Sequence, residues 1–157
     1  MKEVDLSSEN VEPPDWLPDL SLIAERVYSV LNRNAWEIGV LICDESRITE
    51  LNRTYRSTDA PTDVLTFSQH EDETVREDTG VPIAGDIAIS LTTVESNAEA
   101  FGVSVTEEML RVYVHALLHL AGFTHDGVDL SSHDAADHPM LSLQERLVAG
   151  IQKELNS

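Results

Sequence analysis

Several residue types on which particular functions depend are scarce in this chain. Its 157 residues include one cysteine, Cys43, so no disulfide can form within the chain. Cys43 ends the apolar run that begins at Ile38, where we expect a buried small hydrophobic side chain rather than a redox-active or catalytic thiol. No run of about 18 apolar residues is present, and the N-terminus lacks the basic start and apolar stretch of a signal peptide. We therefore expect a cytoplasmic protein with no membrane partner.

Positive charge is also scarce. Ten basic residues stand against 29 acidic ones, which gives a net charge of −19, and Lys2 and Lys153 are the only lysines. Such a charge repels nucleic acid and favours basic partners, so any surface that binds nucleic acid must be local. The segment from Arg33 to Arg56 is one candidate, because its arginines balance its acidic residues. The acidic stretches at 71–78 and 126–137 are expected to be solvated loops.

The hydrophobic pattern predicts an α+β fold in one domain that spans residues 1–157. Strands are predicted at 2–6, 36–43, 63–67 and 86–90, and helices at 20–31, 46–55, 91–100, from 104 onward and at 140–155. Ser104 and Glu107 form a capping-box pattern before the fourth helix. We expect a small mixed β-sheet of three to four strands packed with four to five helices. Val30 and Tyr55 are expected to face the core from the first and second helices.

The fourth predicted helix carries a histidine pattern typical of a metal site. His115 and His119 are four residues apart, so on a helix their rings lie on one face and can reach one metal ion. Gly122 is the residue type that ends a helix with positive φ, and a turn there is expected to bring His125 round as a third ligand. Three protein ligands leave one position open, which is the arrangement of catalytic rather than structural zinc. The sequence therefore predicts a zincin-like, helix-turn metal site on these three histidines.

The same spacing occurs in metzincin proteases, whose pattern H-E-x-x-H-x-x-G-x-x-H places a glutamate base after the first histidine. Ala116 occupies that position here and cannot accept a proton. Any base must therefore come from metal-activated water or from a residue elsewhere in the chain. Ordinary zinc proteolysis is disfavoured.

Four segments together resemble the bacterial YbeY endoribonucleases, also called rRNA maturation factors. The histidine segment, residues 115–125, is similar to the family signature His-Gly-x-Leu-His-Leu-x-Gly-Tyr-Asp-His. Residues 51–56, 61–67 and 85–90 resemble the family's Leu-Asn…Phe/Tyr-Arg, Pro-Thr-Asp-Val-Leu-Ser-Phe and Gly-Asp-Ile blocks, in the same order. With residues 140–145 similar to the usual C-terminal helix, the likeness covers about residues 35 to 155.

The resemblance implies a metal-dependent endoribonuclease, selective for single-stranded RNA, that acts in maturation of the small-subunit (16S) rRNA 3′ end and in ribosome quality control. It implies one zinc ion (Zn2+) per chain on His115, His119 and His125. It also implies that Arg56 is a functional arginine and that His115 is needed for catalysis directly. The implied partners are single-stranded RNA, rRNA and the small ribosomal subunit, whose basic proteins suit an acidic surface.

The surroundings of Arg56 depart from the family pattern. Ser57 and Thr58 replace a glycine and a basic residue that usually follow this arginine, and loss of the basic residue weakens RNA binding locally. A guanidinium fits two phosphate oxygens, so Arg56 is expected to hold the phosphate and stabilise its charge. The alternative is a surface ion pair with Asp59 or Asp63.

Thr124 replaces an aspartate beside the third histidine. Asp126 and Asp86 are then the nearest candidates in sequence to hydrogen bond to a histidine ligand. Met140 is expected to belong to the core of the last helix rather than to lie beneath the metal. The other three histidines, at positions 70, 133 and 138, lie in polar stretches and receive no role.

Two other functions remain open at the level of sequence. One is a zinc hydrolase of another substrate class, such as an amide, which Ala116 disfavours. The other is a non-catalytic ribosome-assembly factor, in which the metal only stabilises the fold and the acidic surface docks on basic ribosomal proteins. Metal-dependent cleavage of pure RNA separates a nuclease from a docking factor.

Overall fold

The structure, a computed structural model, describes residues 2–69, 82–122 and 139–155. Within these ranges the chain forms, in order, β1 (Lys2–Ser8), α1 (Leu20–Val30), β2 (Trp36–Cys43), α2 (Glu45–Arg56), β3 (Val64–Ser68), β4 (Ile83–Ser90), α3 (Leu91–Phe101), α4 (Val105–Leu120) and α5 (Pro139–Leu155). The predicted α+β class is confirmed. None of the described helices is both long enough and apolar enough to span a membrane.

The four strands form one mixed sheet in the order β1-β2-β4-β3. β1 and β4 each pair with β2 in parallel, with Val4 opposite Ile38 and Ile38 opposite Gly85. β3 pairs with β4 in the antiparallel sense and forms the edge of the sheet, with Phe67 opposite Asp86. Parallel neighbours need a crossover connection, and α1 supplies the one between β1 and β2.

Side chains of β2 alternate between the two faces of the sheet, as the period of a strand requires. One face buries Trp36, Ile38, Val40 and Ile42 in the main core, to which α1, α4 and α5 also contribute side chains. The opposite face is covered in part by α2, over a smaller cluster made of Cys43, Ile48, Leu65 and Ala88. The prediction that Cys43 is a buried hydrophobic residue is confirmed, because it has no exposed surface.

Helix α4 lies at the centre of the packing and contacts α1, α3, α5, β3 and β4. Two buried tyrosines bind α4 to α1. The Tyr28 hydroxyl donates to the Leu117 carbonyl at 2.8 Å, and the Tyr113 hydroxyl donates to the Leu20 carbonyl at 2.9 Å. A buried phenol needs such a partner, so these two bonds fix how the helices lie against each other.

Two predicted core residues are exposed. Val30 is 61% exposed because Tyr28, one residue after Val27 on the helix, completes the buried face of α1 in its place. Tyr55 is also 61% exposed, since α2 packs on the sheet mainly through Ile48 near its start. Near the end of α2 the Tyr55 ring instead lies edge-on against Phe67, with centroids 5.4 Å apart.

Candidate active site

His115 and His119 line one open cleft of about 950 Å³, between α5 on one side and β3 on the other. Both side chains are half-buried, and their ring centroids lie 5.6 Å apart with the ring planes tilted by 45°. Glu108, Arg111 and Val112 line the same cleft, so one stripe of α4 runs along its floor. The structure thus brings the two histidines together on one face of this helix.

The ends of α4 follow the sequence signals. The Ser104 hydroxyl accepts the Glu107 amide at 3.1 Å, which is one half of the expected capping box. The Glu107 carboxylate does not close the other half, because it bonds to side chains of α4 and α5. At the far end Gly122 has φ of +100°, and its amide donates to the His119 carbonyl at 3.0 Å. The predicted helix end at Gly122 is confirmed.

Gln144 of α5 holds the ring of His115. The His115 Nδ1 and the Gln144 Oε1 are 2.8 Å apart, and Gln144 is buried. Gln144 Nε2 donates to Glu145 Oε2 at 3.2 Å, which turns the amide oxygen toward His115. Nδ1 must then be the protonated nitrogen and donate, so the lone pair lies on Nε2. An imidazole held this way presents Nε2 as a metal ligand or a proton acceptor.

Arg111 joins the floor of the cleft to its α5 wall. Its guanidinium donates to Glu145 through Nε and Nη2 at 3.0 Å each, which is a bidentate pair. Nη1 also lies 3.4 Å from Glu107 and 3.6 Å from Glu108. Burial by itself raises the pKa of the Glu145 carboxyl, but hydrogen bonds from Arg111 and Gln144 outweigh it and hold that pKa below its ordinary value.

Glu108 is the most buried acid that lines the cleft, with 4% of its surface exposed. Burial raises its pKa above the ordinary value, with a smaller contribution from the negative charge of Asp63, while Arg111 acts in the opposite direction. Ala116, which stands where a metzincin has its base, is fully buried in the main core. The cleft therefore takes no acid–base group from that position.

Arg56, the last residue of α2, lines the same cleft as the two histidines. It is followed by Ser57, whose φ of +56° ends the helix in the left-handed region that favours glycine. The guanidinium donates to the Thr66 carbonyl and lies 5.1 Å from the centroid of the Phe67 ring. These contacts hold Arg56 against β3, where its charge faces the cleft from the wall opposite α5.

Asn52 anchors the loop after Arg56, although the sequence patterns did not single it out. Asn52 is buried, and its side-chain amide donates to the Ala60 carbonyl at 2.9 Å. Asp59, one of the two acids expected to pair with Arg56 in its alternative role, lies 3.5 Å from Arg53 instead. The signal for Asn52 was its place in the Leu-Asn…Tyr-Arg segment.

Asp86 cannot serve as the hydrogen-bond partner of a histidine ligand, because it lies on the other face of the sheet. A side chain at Gly39 would meet the Asp86 carboxylate at 2.3 Å, whereas one at the preceding Gly85 would meet Leu120 of α4 at 2.8 Å. Successive residues of a strand face opposite ways, so Asp86 faces away from α4. The other candidate, Asp126, lies outside the described residues, and Gln144 is the partner that the structure shows.

Within residues 2–69, 82–122 and 139–155, no three histidine, cysteine, aspartate or glutamate side chains group closely enough to hold a metal ion. The third predicted ligand, His125, lies outside these ranges, as do the histidines at 70, 133 and 138 and the acidic stretches at 71–78 and 126–137. The three-histidine site therefore stays a prediction. Met140 is buried in the main core, as expected.

The fold and the cleft define an α+β protein in which a central helix carries a histidine pair and an arginine lies on the cleft wall opposite α5. The family model described as endoribonuclease YbeY matches residues 9–152. The chain therefore belongs to the YbeY endoribonuclease family, and the resemblance in the sequence motifs is confirmed.

Individual relatives agree. The endoribonuclease YbeY of Treponema denticola is 38% identical over 143 residues, covering 90% of this chain and 88% of its own. That of Sulfurihydrogenibium is 38% identical over 133 residues, covering 85% and 82%. A Thermotoga maritima protein with a solution structure matches with a TM-score of 0.65 and 28% identity, over 98% of this chain and 92% of that one.

Proposed function

We propose that this chain is a zinc-dependent endoribonuclease of the cytoplasm that cleaves single-stranded RNA during maturation of the small-subunit rRNA 3′ end and in ribosome quality control. The observation that carries the proposal is the joining of His115, His119 and Arg56 in one cleft of a chain that belongs to the YbeY family. Its relatives bear the name endoribonuclease.

The donor set of the cleft suits a zinc ion. Two imidazoles from one face of α4 meet at the cleft, and the hydrogen bond from His115 to Gln144 directs the Nε2 lone pair away from α5. His115, His119 and His125 would hold one zinc ion per chain. Such an ion supplies Lewis-acid polarisation of a phosphoryl oxygen.

Arg56 binds and orients the phosphate in this proposal. Its guanidinium is held between the Thr66 carbonyl and the Phe67 ring, so little side-chain entropy is lost when it takes a phosphodiester. A fixed cation beside the reacting phosphorus stabilises the negative charge that grows in the transition state. The position of the charge, rather than its mere presence, gives the rate enhancement.

Besides binding zinc, His115 is needed directly for catalysis in this proposal. Its protonated Nδ1 is held by Gln144. The hydrogen bond to the amide stabilises the ring in one orientation, which keeps Nε2 directed at the same point throughout the reaction.

The proposed function also implies two kinds of partner. The substrate is single-stranded RNA, and the acidic surface docks on basic proteins of the small ribosomal subunit.

The test is cleavage of a single-stranded RNA by the purified, metal-quantified protein. His119→Ala and a chelated sample should both lose cleavage, while His70→Ala, a histidine to which we assign no role, should keep it. Circular dichroism of each sample shows whether the fold survives. Loss of cleavage with the fold retained supports a metal-dependent ribonuclease.

A protein that binds about one zinc ion yet leaves pure RNA intact would contradict the nuclease and favour the docking factor. A docking factor needs its metal only for stability, so chelation would lower its melting temperature without removing any activity. Hydrolysis of an amide substrate by the same preparation would favour the second alternative, a zinc hydrolase of another class.

A further inference from the structure

Almost every positive charge in the described part of the chain is already engaged. Ion pairs join Lys2 to Glu25, Arg26 to Glu154, Arg47 to Glu9 and Glu50, Arg53 to Asp59, and Arg111 to Glu107, Glu108 and Glu145. Arg33 is buried, and Arg56 bonds to β3. Among the described residues this leaves Arg146 and Lys153, both exposed on α5, without a hydrogen bond or ion pair.

Arg146 differs from Lys153 in where it lies. Its side chain lines the histidine cleft, from the α5 wall, whereas Lys153 lies in the last turn of α5 and is not among the residues that line it. Arg56 lines the cleft from the wall made by α2 and β3. The two arginines therefore flank the histidine-bearing floor of the cleft from opposite sides.

The charge of the molecule makes this placement informative. Acidic residues outnumber basic ones by 29 to 10, so most surface arginines find a carboxylate close by. Both carboxylate oxygens of the neighbouring acid Glu145 already accept hydrogen bonds, from Arg111 and from Gln144, and none comes from Arg146. An uncompensated guanidinium in a cleft keeps its fork of donors for an anionic ligand, and phosphate matches that fork.

We propose that Arg146 binds a phosphate of the RNA strand next to the one held at Arg56, and so sets the path of the strand across the cleft. This inference rests on the proposed function, because RNA supplies the row of phosphates. Arg146 acts in binding and positioning rather than at the reacting atoms. Its loss should therefore weaken RNA binding and raise KM, with little change in kcat.

The experiment compares Arg146→Gln with Lys153→Gln, which removes the same charge from the same helix outside the cleft. Binding of a fluorescent 2′-O-methyl oligouridylate is followed by anisotropy between about 50 and 200 mM salt. For Arg146→Gln we expect affinity about three- to tenfold lower and a salt slope smaller by about 0.7, the value for one phosphate contact on a single strand. Lys153→Gln should match the wild type, and Arg146→Lys should recover part of the loss.

Cleavage of unmodified oligouridylate by the same proteins separates this inference from the proposed function. If Arg146→Gln binds and cleaves as the wild type does, Arg146 holds no phosphate, and the nuclease stands without it. If the wild type binds RNA through Arg146 but cleaves none, the inference holds and the nuclease fails. If the wild type binds no RNA, or if Lys153→Gln is as impaired as Arg146→Gln, the inference is overturned.

Discussion

His115 Nδ1 and Gln144 Oε1 lie 2.8 Å apart, although the two residues are 29 positions apart in the chain. The bond crosses from α4 to α5 and fixes which ring nitrogen of His115 bears the proton. Because Gln144 is buried and its own amide group is held by Glu145, the orientation of the ring is set by a small chain of hydrogen bonds. His115 is thus oriented by the packing of two helices, and not by α4 alone.

Replacing Gln144 with leucine should weaken zinc binding. The substitution keeps the volume but removes the acceptor for Nδ1, so the tautomer and the ring orientation are no longer fixed. Loss of such a partner typically costs 10- to 100-fold in metal affinity, which competition with a chromogenic chelator measures. Gln152→Leu is the matched control, because Gln152 also joins α5 to α4, through Glu107 at 3.1 Å, but does not touch a histidine.

Gln144→Glu keeps an acceptor at the same place and should retain most of the zinc affinity. Equal affinities for the leucine variant and the wild type would show that the hydrogen bond plays no part in the metal site. If zinc affinity falls equally in both glutamine-to-leucine variants, the cause is weaker packing of α5 on α4 and not the loss of the hydrogen bond to His115.

Arg56→Gln should lower kcat for RNA cleavage by about 100-fold, because the loss of one positioned donor to a transition-state charge has an effect of that order. Arg53→Gln is the control, since Arg53 lies on the same helix but pairs with Asp59. Zinc content should be unchanged in both variants. Cleavage at the wild-type rate by a zinc-loaded Arg56→Gln protein would refute the role given to Arg56.

Glu145→Gln should reduce stability at neutral pH but not in acid. The pKa of the folded-state carboxyl lies below its ordinary value, so Glu145 contributes stability above the unfolded pKa of about 4.3, and that contribution is lost as pH falls through the folded pKa. Glu145 is half exposed, so we expect about 0.5 kcal/mol at pH 7. Urea unfolding of both proteins over this pH range measures the difference, and a difference that does not change with pH would contradict the prediction.

Two glycine-to-alanine changes should act in opposite directions. A Cβ at Gly85 would lie 2.6 Å from the Phe67 carbonyl oxygen and 2.8 Å from Leu120, so β3 and α4 must shift, at a cost of about 1–3 kcal/mol. At Gly150, exposed within α5, nothing lies within 4 Å of the added methyl group, and alanine should stabilise the helix by about 1 kcal/mol. Urea unfolding measures both changes. A Gly85→Ala protein as stable as the wild type would contradict the prediction and show that β3 and α4 can shift without cost.

Local periodicity predicted most of the elements correctly. The helix that carries His115 and His119, its start at Ser104 and its end at Gly122 all follow from signals within a few residues of one another. Errors arose where the exposure of a residue depends on what packs over it. Tyr55 has the spacing of a core residue, yet α2 covers the sheet only near its start, so the ring lies outside.

The sequence by itself determined that two histidines lie on one face of a helix, because the helical repeat acts over four residues and needs no partner. It also determined the family, through four short motifs in order. Only the tertiary structure decided that Gln144 orients His115, that Arg56 and Arg146 face the cleft from opposite walls, and that Asp86 lies behind the sheet. Those relationships join residues from separate elements, and their distances are set by how helices and strands pack, which no local pattern of the chain contains.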